Sequence, residues 1–268
     1  MRLFSSADPN VLNPLQLLEP AISIPISLAI SVASVTLSLL IAWKFLKSYR
    51  LSGFGYLLGI PVGFVLLALS FSFQHLSLVY QHSPFLNPAF FWMQIVMQSE
   101  GFALIAISYQ FKNFDPAAES SYRTRRKEDR PFDIKHLMLV IIPPIMVSIP
   151  FIAPTALLAV NPYFNYARFA ELSFCMMLFN LAVIGYICRN VIVSLVKSGN
   201  VRLIYVPLAF ALFFIEQYSL VITYFDNSVV ASVGGLVARL AALSMFVYIM
   251  YRVAVASRRL EIEAREKA

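Results

Sequence analysis

Seven long apolar runs alternate with short polar segments along the chain, at about 21–43, 54–78, 88–111, 136–160, 168–188, 203–225 and 229–251. Each has 21 to 25 residues, the length that carries a tilted helix across a hydrocarbon layer about 30 Å thick. Barrel strands would be roughly 10 residues long with alternating polarity, and that alternation is missing. Lipid offers nothing to satisfy an open backbone, so runs of this kind predict helices. The fourth run is irregular: Pro143, Pro144, Pro150 and Pro154 require a kink or break in it. Residues 1–20 contain Pro9, Pro14 and Pro20 and lack the basic start and small-residue cleavage site of a signal peptide. The tail after Tyr251 is charged and helix-prone. The expectation is an all-α, polytopic membrane protein. It has an extracytoplasmic segment (1–20), a seven-transmembrane-helix bundle (21–251) and a cytoplasmic helical tail (252–268).

Composition supports this. The 268 residues are 59% hydrophobic and 13% charged, with a mean hydropathy of +0.74. A soluble domain is about a quarter charged. A soluble enzyme is therefore excluded, as is a disordered chain. The net charge of +7 takes its meaning from placement. The links 44–50, 112–135 and 189–202 and the tail hold 18 of the 21 basic residues, whereas the opposite side holds Arg2 and Arg168. Such asymmetry puts the N-terminus outside and the C-terminus in the cytoplasm, in a multi-pass plasma-membrane protein. The cluster Arg123–Lys127 reads as part of that signal and as a contact for anionic headgroups, not for nucleic acid.

An ionisable group at mid-bilayer costs at least about 2.5 kcal/mol, so each one needs a reason. Glu100, Glu216 and Arg239 sit at matching depths in the third, sixth and seventh runs, which predicts a Glu100–Arg239–Glu216 network. Arginine suits the role, because its fork serves two carboxylates. The network is either a structural tie or a ligand site, proton site or switch. Gln94 and Gln98 share one face of the third run, and Glu100 lies about 200° around from Gln98, so that helix is expected to be central. Glu216, Ser219 and Thr223 form an inward stripe, with Gln217 beside it. Asn180 is a fourth polar candidate near mid-span. Ser232, Gly235, Arg239 and Ala242 form a close-packing face. Ser23, Ser27, Ser31, Ser34 and Ser38, and Gly59 with Gly63, read the same way. Gln74 and His75, toward the outer end of the second run, are candidates for contact with a ligand.

No metal or other cofactor is expected. Two histidines, His75 and His82, do not make a metal site, and Cys175 and Cys188 lie about 20 Å apart on a helix. The helix count resembles that of rhodopsins in topology alone, since all seven lysines lie in polar segments or at their edges and none can form a buried Schiff base. Motifs of a zinc protease, serine hydrolase or nucleotide-binding loop are missing. The expected function is non-enzymatic: a seven-helix sensor or receptor-like module that binds a small or apolar ligand, or senses the bilayer. It signals through a separate cytoplasmic or membrane partner. The alternatives are a proton-coupled transporter using the midplane carboxylates, and an accessory or structural subunit of a membrane complex.

Overall fold

A computed structural model describes residues 20–52, 58–80, 83, 86–114, 166–198, 204–226 and 228–266. They form six α-helices: α1 (Pro20–Ser52), α2 (Gly59–Val79), α3 (Leu86–Phe114), α4 (Tyr166–Ser198), α5 (Tyr205–Asp226) and α6 (Val229–Glu266). All six are long and apolar enough to cross a membrane. The proline-bearing run 136–160 and its neighbouring links lie outside the described residues, as does the N-terminal segment 1–19.

Local sequence explains the helix starts. Pro61, Pro88 and Pro207 each occupy the first turn of their helix, where the missing N–H has no intrahelical acceptor to lose. Ser83 and Ser228 supply hydroxyl caps. The Leu86 N–H donates to Ser83 Oγ at 3.2 Å, and the Ala231 N–H to Ser228 Oγ at 3.3 Å. Three helices outrun their apolar stretches. α1 continues through Lys44 and Lys47 to Ser52, α4 reaches Ser198, and α6 runs unbroken into the charged tail. Hydropathy reports where a helix can meet lipid, whereas the backbone ladder continues wherever residues favour it.

Packing follows chain order and then closes: α1 on α2, α2 on α3, α3 on α4, α4 on α5, α5 on α6, and α6 back on α1. Burial is sorted in the sense a lipid-facing surface requires. Val32, Leu39, Trp43, Val196, Val230 and Val237 are exposed, whereas Ser34, Ser38, Gln98, Gln217, Glu216 and Arg239 are buried. Several buried hydroxyls turn back on their own helix. Ser99 donates to Ile95 O, Ser108 to Leu104 O and Ser219 to Ile215 O, which satisfies the donor without a partner helix. The tightest crossing is between α2 and α3. A Cβ on Gly63 would lie 2.7 Å from Gly101 O, and one on Gly101 would lie 2.9 Å from Gly63 O. The two backbones therefore touch, as small residues allow in membrane packing.

Candidate functional site

Arg239, on α6, is 1% exposed. Its Nε donates to Glu216 Oε1 of α5 at 2.6 Å, and its Nη1 donates to Gln74 Oε1 of α2. The guanidinium carbon lies 4.2 Å from the centroid of the Phe71 ring, one helical turn from Gln74. An arginine can thus be held by a carboxylate, an amide oxygen and an aromatic face at once. Gln98 of α3 completes the cluster by donating Nε2 to the same Glu216 Oε1 at 3.5 Å. The two glutamines take opposite roles because the ions dictate them. The cation needs the oxygen of Gln74, and the carboxylate needs the NH2 of Gln98. Four helices meet at one ion pair.

The surroundings differ on the two sides of this pair. Toward the α5–α6 turn lies a cavity of about 10 Å³, bounded by Gln74, Glu216, Ser219, Ser232, Gly235 and Arg239 among others. On that measure, about 10–15 Å³ accommodates one water. Glu216 Oε2 is buried and has no hydrogen-bond partner among the described residues. Thr223, two turns further along α5, is also buried. Toward the other end the core is aromatic. Phe246 of α6 meets Phe64 of α2 and Phe210 and Phe213 of α5 with centroids at 5.1–6.1 Å. Phe102 of α3 packs edge-on against Phe213 at 5.7 Å. The same four helices that supply the polar cluster supply this apolar plug.

The sequence-predicted residues divide accordingly. Arg239, Glu216, Gln98 and Gln74 come together, and Ser219 borders the same space. Glu100 stands apart, contrary to the three-membered network expected from depth. It is buried, but no described residue hydrogen-bonds or ion-pairs with it. The reason is angular: once Gln98 points at Glu216, a residue about 200° further round α3 points elsewhere. Gln94 is likewise buried with no bond into the cluster. Asn180 and Gln217 form a separate tie between α4 and α5, Nδ2 to Oε1 at 3.3 Å. His75 is half-buried, and its Nδ1 has no partner among the described residues. Sequence reasoning missed Phe71 and the role of Gln74. Their three-residue spacing on α2 was the available signal. Among the described residues, no three His, Cys, Asp or Glu side chains come together as a metal site. No family model, curated protein or solved structure matches this chain.

Proposed function

We propose that this chain is a seven-helix sensor of the plasma membrane, with residues 136–160 as the fourth span, the N-terminus outside and the C-terminus in the cytoplasm. The input arrives in the outer half of the bundle, as a small or apolar ligand or as a change in the bilayer. The output passes to a separate protein partner that meets the tail. The observation that supports this best is the continuity of α6. One helix carries Arg239 of the ion pair, Phe246 of the aromatic plug and the charged tail through Glu266. Whatever changes the pair is thereby connected, through rigid backbone, to the far end. The aromatic plug favours transmission of a signal over passage of a solute.

Spin labels test this. Val196 and Val253 are both exposed, Val196 near the end of α4 and Val253 where the apolar span of α6 gives way to its charged tail. With Cys175 and Cys188 replaced by serine, cysteines at 196 and 253 are labelled in nanodiscs and their distance distribution is measured. Arg239→Gln should shift or split the distribution while the protein stays folded by its melting curve. An unchanged distribution in a folded variant would refute transmission along α6.

A further inference from the structure

We infer that the input site is a proton site: one water in the cavity beside Glu216 delivers a proton from the α5–α6 end to Glu216 Oε2, which releases Arg239. This rests on the sensor reading above and names its ligand. Three independent features lead to it. First, the bonding of Glu216 is lopsided, because Arg239 Nε and Gln98 Nε2 both use Oε1, and Oε2 is buried without a partner among the described residues. A buried acceptor of this kind calls for a donor. Second, the adjoining cavity has room for about one water and is bordered by groups that can hold it. Ser219 donates its hydroxyl hydrogen to Ile215 O at 2.8 Å, so its oxygen offers lone pairs. A water there can donate one hydrogen to Oε2 and the other to Ser219 Oγ. Third, among the described residues the polar approach is one-sided. Glu216, Ser219 and Thr223 line one face of α5 leading to the exposed Asp226, about 15 Å away along the helix, whereas the aromatic plug closes the other direction.

The step balances simply. Hydronium gives a proton to Oε2: one O–H bond of hydronium breaks, one O–H bond forms on Oε2, water remains, and nothing is oxidised or reduced. Glu216 becomes neutral and Arg239 keeps its charge, so the attraction of opposite charges is lost and only a weaker hydrogen bond at Oε1 remains. Among the described residues, the charged group that faces Glu216 is Arg239 from α6, joined by the neutral amides Gln98 from α3 and Gln74 from α2, while Glu100 points away on α3. The neutral Asn180 of α4 approaches through Gln217. Asp226 lies on α5 itself, at its exposed end.

The test is infrared difference spectroscopy of the full chain in nanodiscs during a pH titration. A protonated-carboxyl band should rise as the pH falls, persist in Glu100→Gln and Asp226→Asn, and disappear in Glu216→Gln. No such band, or a band lost in Glu100→Gln instead, would overturn the inference. A second variant guards against misfolding of Glu216→Gln. Ser219→Ala with Ser232→Ala keeps every charge and removes the water's hydroxyl neighbours, so the band should shift. An unshifted band would sink the water-mediated route. A Glu216 band with no pH response of the 196–253 distance would leave the proton site standing and remove the sensor reading. A distance that responds to Arg239→Gln without any Glu216 band would do the reverse.

Discussion

Replacing Arg239 with methionine removes the cation while an unbranched side chain still follows the path of the arginine stem. Three interactions go with it: the 2.6 Å bond to Glu216, the bond to Gln74 and the stacking over Phe71. Leaving one member of a buried pair without its partner costs about 3–5 kcal/mol, and a desolvated cation–π contact adds about 2 kcal/mol. The second loss persists in Arg239→Met/Glu216→Gln, but the first does not, because no charge is then stranded. The double variant should therefore exceed Arg239→Met in stability by roughly 3–5 kcal/mol. For a chain of this size that is roughly 6–20 °C in melting temperature. Glu100→Gln shares no described partner with the pair, so its effect should add to either variant within about 0.5 kcal/mol. Thermal unfolding in one detergent, followed by circular dichroism, measures the wild type, both variants and the Glu100→Gln version of each. A double variant no more stable than Arg239→Met, or a rescue by Glu100→Gln instead, would refute the pairing.

Gly63→Ala should lower the melting temperature, because its Cβ would sit 2.7 Å from both Gly101 O and Ile105 Cγ1; overpacking of this kind costs about 1–3 kcal/mol. Gly234→Ala, with no heavy atom within 4 Å of its Cβ, should melt no lower than the wild type. Phe246→Ala should cost about 3–5 kcal/mol, measured by the same melts, since Phe246 is 4% exposed and touches three other rings. For topology, cysteines introduced at Ala167 and Asn227 should react with an impermeant maleimide in intact cells, and one at Ser120 only after permeabilisation; labelling of Ser120 in intact cells would invert the orientation.

Hydropathy made the six described spans legible, because the cost of burying backbone in lipid leaves helices as the economical solution. The buried polar set was legible for a related reason. Gln94, Gln98, Asn180, Glu216, Gln217 and Arg239 are too costly against acyl chains to face outward. What depth could not supply was direction. Matching Glu100 to Arg239 by level ignored the rotation of α3, although the angle between Gln98 and Glu100 already implied that only one of them could meet Glu216. Gln74 stood out as a candidate for ligand contact, but its bond to Arg239 was hidden for the opposite reason. It sits away from the middle of α2, but an arginine side chain reaches well beyond the level of its own Cα. The Gly63–Gly101 crossing was half visible, since Gly63 stood out in the sequence but its partner did not. A lone glycine in an apolar run carries no spacing to mark it.

The unbroken course of α6 also has a mechanical consequence. Arg239 and Glu266 are separated by 27 residues of one helix, about 40 Å at 1.5 Å per residue. The close contact of Gly235 with Ser219, where a Cβ would lie 3.1 Å away, places a fulcrum one turn from the ion pair. On such an arm a tilt of about 5° moves the far end by about 3.5 Å. Motion too small to open the bundle is enough at that radius to bring a charged helix end onto a neighbouring surface or carry it away.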